Sequence, residues 1–179
     1  MKHKQRHWIL LDRLVDVILK NVPGCVVDIG IGHSTEVLYN HSSKLGREHY
    51  SCDISSKKCN WARTLGGLKI FEGRSLDFIE QFSNIPVAVV FLDGDHTYSI
   101  TKREFDFFLL KLSPGGMIFL HDTMPYCTKE IYGKYTVYQL RQEIERRSDL
   151  MVFTWPYTAQ NAGLTMIMQK EKNPPFYRK

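Results

Sequence analysis

Short apolar runs of the β type alternate with helical patterns along most of this 179-residue chain. Two of the runs, Val87–Leu92 and Met117–Leu120, contain no polar residue. Strands this apolar are buried on both faces, and the helices between them supply the cover. The alternation therefore predicts an α/β fold built on a doubly wound parallel sheet.

The periodicity places seven strands and six helices. The predicted strands are Cys25–Ile29, Tyr50–Ile54, Lys69–Phe71, Val87–Leu92, Met117–Leu120, Met151–Trp155 and Leu164–Gln169. The predicted helices are an amphipathic one that carries Leu11 to Val22, then Ser34–Lys44, Ser56–Leu65, Ser75–Phe82, Tyr98–Leu112 and Tyr135–Arg147. Only Pro156–Gly163 separates the last two strands, so we expect them to form an antiparallel hairpin.

The first strand leads into a glycine loop, Gly30-Ile31-Gly32-His33-Ser34. Two glycines let a ligand approach backbone N–H groups at the positive end of the next helix. NAD and S-adenosylmethionine (AdoMet) both bind at such loops. Asp28 would repel a pyrophosphate but suits the ammonium and sulfonium of AdoMet. Thr35 also stands where the dinucleotide fingerprint has its third glycine, so we predict an AdoMet loop.

A second acid follows about one strand later. The strand that begins near His49 ends at Asp53, which is placed to accept hydrogen bonds from ribose hydroxyls. Both cofactors carry a ribose, so Asp53 indicates a nucleoside without identifying it. Helix caps and turns also use acids at strand ends, and that reading stays open for Asp28 and Asp53.

Composition excludes several classes of protein. The chain has a net charge of +5, but residues 1–6 and 170–179 carry three net positive charges each, which leaves −1 for residues 7–169. We therefore expect flexible basic tails at 1–6 and 171–179 and no clear nucleic-acid surface. Four cysteines without metal or disulfide spacing predict a cytoplasmic protein. No apolar stretch is long enough for a membrane span.

Two later segments resemble motifs of a known family. Asp93-Gly94-Asp95-His96-Thr97-Tyr98 resembles a D-G-x-H-x-Y motif, and Pro114-Gly115-Gly116, a strand and His121-Asp122 resemble a PGG-strand-HD motif. Both are found in a subfamily of class I AdoMet-dependent methyltransferases that includes small-molecule and sugar O-methyltransferases. The resemblance implies a Rossmann-like, doubly wound, seven-stranded sheet with an antiparallel final strand. Length predicts one domain over residues 1–179.

The resemblance also implies roles for individual residues. Gly30, Gly32 and Ser34 would contact the methionine moiety of AdoMet and Asp53 its ribose. Arg74 and Ser75 would lie along the adenine, and Asp93 would stand beside the methionine amino group. On the strand assignment these residues fall at carboxyl ends of strands, where doubly wound sheets bind ligands.

Methyl transfer to a hydroxyl requires an oriented acceptor and a route for its proton. The catalytic candidates lie on two loops that follow neighbouring strands; they are Asp93, Asp95, His96, His121 and Asp122. In one mechanism Asp93, His121 and Asp122 hold a divalent cation, as in the metal-dependent O-methyltransferases that these loops resemble. That pattern usually has two acids, or an acid and an amide, where this chain has His121-Asp122. In the other mechanism His96 or His121 is a metal-free general base.

The sequence thus favours an enzyme that methylates a small molecule, with the acceptor recognised by Thr123–Lys134 and Trp155–Gly163. Aromatic and methionine side chains in these segments can line a pocket or can anchor the loops. A non-catalytic AdoMet-binding module and an NAD(P)-binding oxidoreductase are the alternatives. The lack of a large cap leaves room for a homo-oligomer in which a partner subunit completes the site.

Overall fold

The computed structural model describes residues 6–125, 136–155 and 163–170. The helices are α1 (Arg6–Asn21), α2 (His33–Lys44), α3 (Ser56–Arg63), α4 (Ser75–Gln81), α5 (Tyr98–Leu109) and α6 (Val137–Ile144). The strands are β1 (Cys25–Ile29), β2 (His49–Asp53), β3 (Lys69–Glu72), β4 (Val87–Leu92), β5 (Leu112–His121), β6 (Leu150–Trp155) and β7 (Leu164–Gln169).

These strands form one sheet in the order β3-β2-β1-β4-β5-β7-β6. Strands β1 to β5 pair in parallel, and β7 is antiparallel to both β5 and β6. From β1 the chain moves outward to β2 and β3, and it then returns to place β4 on the other side of β1. The carboxyl ends of β1 and β4 therefore form the switch point at which such sheets bind ligands.

Helices cover both faces of the sheet. On one face α4, α5 and α6 pack against it through residues such as Phe78, Phe105 and Leu140. On the other face α1 and α2 pack against it through Leu11 and Leu38 among others. Strand β4 is buried along its whole length, which explains its unbroken apolar sequence. None of the helices in the described ranges is long and apolar enough to cross a membrane.

The predicted fold class is confirmed, including the seven strands and the antiparallel final strand. Several boundaries were wrong, most clearly those of β5 and α5. Strand β5 begins at Leu112, which pairs with Val87, and the chain from there to Met117 passes through an irregular register with a positive φ at Gly115. Helix α5 consequently ends at Leu109.

The last helix begins later than its sequence pattern indicates. Thr136 is extended (φ −131°, ψ 176°), so α6 starts at Val137 and ends at Ile144. Residue 135 lies outside the described ranges. So do residues 1–5 of the predicted tail at 1–6, the predicted tail at 171–179, most of the predicted acceptor segment 123–134, and residues 156–162 of the hairpin. Arg6, the last residue of the predicted first tail, begins α1. The single domain over residues 1–179 stays a prediction.

The ends of β1 and β4 meet in one close contact. The Asp93 amide donates to the Ile29 carbonyl at 2.8 Å, and the Gly30 amide donates to the Cys52 carbonyl at 2.9 Å. Gly30 has a φ of +94°, and a Cβ added there would lie 2.1 Å from the Asp93 carbonyl oxygen. Only glycine lets the loop cross the β4 end this closely.

Substituting Gly30 therefore tests the crossing. We expect Gly30→Ala to lower the free energy of unfolding by at least about 2 kcal/mol, because the new methyl group meets backbone and the residue must keep a positive φ. Urea denaturation followed by circular dichroism measures the change. Gly32→Ala is the matched control, since Gly32 is extended (φ −172°) and its Cβ would meet nothing within 4 Å. Equal losses in the two variants would contradict this account.

Candidate active site

A cavity of about 410 Å³ opens at the switch point of the sheet. Gly30 and Asp93 line it where β1 and β4 end, and Asp53 lines it at the end of β2. Arg74 and Ser75, which follow β3, form another part of its wall. The structure thus brings five of the predicted cofactor residues together around one space. Ile54, Leu76 and Ile100 add apolar surface to the same cavity.

Asp28 is placed differently from the sequence expectation. Its side chain is fully buried beneath the glycine loop, and Asp28 is not among the residues that line the cavity. Its carboxylate accepts hydrogen bonds from the hydroxyls of Ser34, at 3.4 Å, and Thr35. Burial raises the pKa of Asp28 to about 8, against the effect of the Thr35 hydrogen bond. Asp28 therefore stabilises the glycine loop through buried hydrogen bonds.

Thr35 completes this arrangement. Its hydroxyl donates to Asp28 and accepts from the Gly32 amide at 2.9 Å. The two departures from the dinucleotide fingerprint, an acid at 28 and a threonine at 35, are thus partners in one hydrogen-bonded unit. Ser34 is buried in the same unit, and neither it nor Gly32 is among the residues that line the cavity.

Asp53 joins the cavity to the loop. One carboxylate oxygen accepts from the Ile31 amide at 2.9 Å and from the Lys58 ammonium at 3.1 Å, and the other accepts from the Ser55 amide at 2.8 Å. A carboxylate has about four acceptor positions, so one remains for a ligand hydroxyl. Lys58 also lines the cavity and is about half exposed, so its movement would release a second position.

At the edge of the cavity, four ionisable side chains form a compact cluster. His96 Nε2 lies 2.6 Å from Asp122 Oδ2 and 3.4 Å from Asp93 Oδ1. His121 Nδ1 lies 3.0 Å from Asp93 Oδ1 and 3.2 Å from Asp122 Oδ1. Each imidazole therefore bridges both carboxylates. We call Asp93, His96, His121 and Asp122 the acid–histidine cluster; all four are among the residues that sequence analysis selected for chemistry.

Contacts within the cluster shift the pKa values of its four side chains. Burial lowers the pKa of both imidazoles, but hydrogen bonds to Asp122 and Asp93 outweigh it and raise the pKa of His96 to about 9 and that of His121 to about 10. Burial raises the pKa of both acids, but their contacts with the two imidazoles lower it by more. The pKa values of Asp93 and Asp122 therefore lie below the ordinary range. Near neutral pH both imidazoles of the cluster are therefore protonated and both carboxylates are ionised.

The backbone at Asp122 is unusual. Its φ is +56°, and among residues 6–125, 136–155 and 163–170 it is the one non-glycine residue with a positive φ. Aspartate tolerates this conformation better than most residues, but it still has an energetic cost that folded proteins accept mainly at functional sites. The turn directs the Asp122 carboxylate toward His96 and His121.

Two further residues at this site were not predicted. His7 and Trp8, in the first turn of α1, lie against His121. His7 Nε2 is 3.4 Å from His121 Nε2, and the Trp8 and His121 rings stack with centroids 5.4 Å apart and 17° between their planes. Burial, followed by the charge of His121, lowers the pKa of His7 to about 4. His7 is therefore neutral, and His121 Nε2–H donates to it.

The cluster also fits a divalent cation. Asp93, His96 and Asp122 each offer one ligand atom, and these three atoms lie within 4.8 Å of one another. The set differs from the predicted one, which had His121 in place of His96. Two carboxylate oxygens and one imidazole nitrogen suit a borderline transition metal better than Mg²⁺.

Comparisons with known proteins bear on the same region. Residues 27–123, more than half of the chain, match the family model of a methyltransferase domain. A search of curated proteins by sequence finds no match.

Solved structures share the fold. An O-methyltransferase from Bacillus cereus in complex with SAH is 18% identical with a TM-score of 0.73, and the match covers 95% of this chain and 84% of that one. TomG from Streptomyces achromogenes, an O-methyltransferase crystallised with SAM, is 14% identical (TM-score 0.67, 93% and 80% covered). An rRNA methylase from Streptococcus thermophilus is 12% identical (TM-score 0.66, 96% and 99% covered). At these identities the likeness establishes the fold.

The acid–histidine cluster predicts how stability depends on pH. Both imidazoles have folded pKa values above the ordinary 6.5, so their contribution is complete below pH 6.5 and is lost as the pH rises through about 9 for His96 and about 10 for His121. We expect the free energy of unfolding to fall over this range, and His96→Gln to make the fall shallower. Urea denaturation at a series of pH values, in the presence of a chelator, measures both slopes.

Lys57→Gln serves as the control for that measurement. Lys57 is exposed near the start of α3 and lies outside the acid–histidine cluster. Its variant should keep the slope of the parent protein. An unchanged slope in His96→Gln would contradict the assignment of the pH dependence to the cluster.

Proposed function

Because the chain belongs to the methyltransferase-domain family, we propose that it is an enzyme that transfers the methyl group of AdoMet to a hydroxyl of a small molecule. One observation carries the proposal: Asp93 lines the cavity and also belongs to the acid–histidine cluster. A cofactor in the cavity and an acceptor at the cluster would therefore meet at this carboxylate. Methyl transfer needs that adjacency, since it is an in-line displacement between two bound molecules.

The chemistry of the cavity supports AdoMet as the donor. Asp93 offers a carboxylate to the methionine ammonium, and Asp53 retains an acceptor position for a ribose hydroxyl. The apolar side chains Ile54 and Ile100 suit a purine ring. The structural neighbours crystallised with SAH and SAM bind the same class of ligand on the same fold.

On the acceptor side, the acid–histidine cluster supports transfer to oxygen. A hydroxyl must lose its proton during transfer, and a divalent cation held by Asp93, His96 and Asp122 would lower the pKa of that hydroxyl. The two carboxylates would orient the acceptor by accepting hydrogen bonds from neighbouring hydroxyls. Without a cation, His96 Nε2, which lies 2.6 Å from Asp122 Oδ2, is the atom that would receive the proton once the imidazole has released its own proton to solvent.

We propose a small acceptor because residues 7–169 have a net charge of −1 and the cluster contributes two carboxylates. Phosphate backbones bind basic surfaces, so this charge disfavours RNA. The rRNA methylase among the structural neighbours makes RNA the acceptor to compare in the assay. We also propose a cytoplasmic location, supported by the free, buried thiols of Cys25, Cys52 and Cys59.

Ligand binding tests the donor. At a hundredfold excess over its dissociation constant, AdoMet should add about 2.7 kcal/mol to the free energy of unfolding and raise the Tm by several degrees. Differential scanning fluorimetry with AdoMet, S-adenosylhomocysteine, NAD and NADP measures the shift. Stabilisation by NAD together with indifference to AdoMet would overturn the proposal in favour of an oxidoreductase.

Asp53 provides the matched variants for that experiment. We expect Asp53→Asn to weaken AdoMet binding by about 10- to 150-fold, because a charge-assisted hydrogen bond to ribose is worth about 1.5–3 kcal/mol. Isothermal titration calorimetry measures the affinity. Asp149→Asn is the control, since Asp149 is exposed and pairs with Arg147. Unchanged affinity in Asp53→Asn would argue against a ribose at this position.

Activity and chelation test the acceptor chemistry. We expect methylated product from catechols or sugars, detected by mass spectrometry, and loss of activity on chelation that Mn²⁺, Zn²⁺ or Mg²⁺ restores. Full activity after chelation would assign proton removal to His96, and His96→Gln should then lower kcat by about 10²- to 10⁴-fold. AdoMet binding without transfer to any small molecule or RNA would indicate the non-catalytic module instead.

A further inference from the structure

The first turn of α1 reaches the acid–histidine cluster from the opposite end of the chain. His7 is 114 residues from His121 in sequence, yet their Nε2 atoms lie 3.4 Å apart and His7 is 2% exposed. Resting on the methyl transfer proposed above, we propose that His7 and Trp8 are positioning residues that fix the orientation of the His121 imidazole. Nothing in the family match assigns them this role, since the match begins at residue 27.

The geometry leaves His121 one orientation. Its Nδ1 faces Asp93 and Asp122 at 3.0 and 3.2 Å, and its Nε2 faces His7. A flip of the ring would place Cδ2 where Nδ1 lies and Cε1 where Nε2 lies, and both sets of contacts would be lost together. The contact with His7 therefore selects the orientation in which Nδ1 bridges the two carboxylates.

Stacking restrains the remaining rotation. The Trp8 ring lies over His121 with 17° between the planes, and Phe91 lies 6.0 Å from both rings. Trp8 is held in turn by an edge contact with His33 at 5.3 Å. Through Trp8, helix α1 thereby contacts both His33 of the glycine loop and His121 at the end of β5. The orientation of the His121 ring plane depends on this packing of α1.

The consequence for chemistry concerns Asp93. Its Oδ1 receives His121 at 3.0 Å, and Asp93 also lines the cofactor cavity. A His121 ring that rotates freely would leave Asp93 without one of its two imidazole partners. Small displacements of a catalytic group lower rates strongly, so loss of His7 should lower kcat more than it changes cofactor binding.

The test uses the full chain with three substitutions at His7. His7→Leu keeps an apolar side chain in the buried position but has no acceptor. His7→Asn is polar but too short to reach His121 Nε2, and it replaces His7→Leu if that variant does not fold. His7→Gln can place an amide oxygen near the original acceptor and is the rescue variant. Ile9→Ala is the control, because Ile9 lies in the same turn and is 49% exposed.

The first readout needs no activity. In ¹⁵N NMR spectra the Nε2–H signal of His121, assigned by its loss in His121→Gln, should exchange slowly in the parent and in Ile9→Ala. We expect the signal to disappear in His7→Leu and His7→Asn and to return in His7→Gln. Persistence of the slow signal in His7→Leu or His7→Asn would overturn the proposal.

The second readout separates positioning from folding. We expect His7→Leu to lower kcat by about 10- to 100-fold with an unchanged KM for AdoMet, and His7→Gln to recover most of the loss. A parent-like kcat in His7→Leu, or no recovery in a folded His7→Gln, would overturn the proposal. If the parent itself transfers no methyl group, the proposed function fails, and the NMR signal still decides whether His7 orients His121.

Discussion

The close crossing of the β1 and β4 ends is the constraint on which the rest of the site depends. Gly30 approaches the Asp93 carbonyl so closely that no side chain fits between them, and the Asp93 amide is bound to Ile29. This contact fixes where Asp93 leaves the sheet. Because the same side chain borders the cavity and pairs with both imidazoles of the acid–histidine cluster, the crossing sets the distance between the two halves of the site.

Sequence reasoning succeeded where the signal is local. Apolar runs and their spacing predicted the strands, and the rule that parallel strands present their carboxyl ends at one edge grouped Asp93, His96, His121 and Asp122. Sequence reasoning placed the Asp28 carboxylate beside the ligand, whereas it is buried beneath the loop. The pattern of a five-residue strand does not show on which face of β1 a side chain lies. Thr35, read only as a missing glycine, is in fact the partner of Asp28.

Contacts between distant elements were beyond sequence reasoning. His7 lies outside every motif, and only the packing of α1 on the sheet brings it to His121. The contact of Lys58 with Asp53 was not predicted, because an exposed lysine on a short helix has many possible partners. Trp8 lies before the predicted amphipathic pattern, which begins at Leu11, and its stacking depends on the position of β5.

The hydrogen-bonded unit of Asp28, Thr35 and Gly32 has a consequence for changing cofactor preference. A dinucleotide loop would need the acid removed and a glycine at 35, but either change alone leaves a buried partner unsatisfied. The two positions are therefore epistatic, because either single variant is less stable and would be the intermediate on the way to the double variant. Substitutions toward a dinucleotide loop therefore cost the fold least when both residues change together.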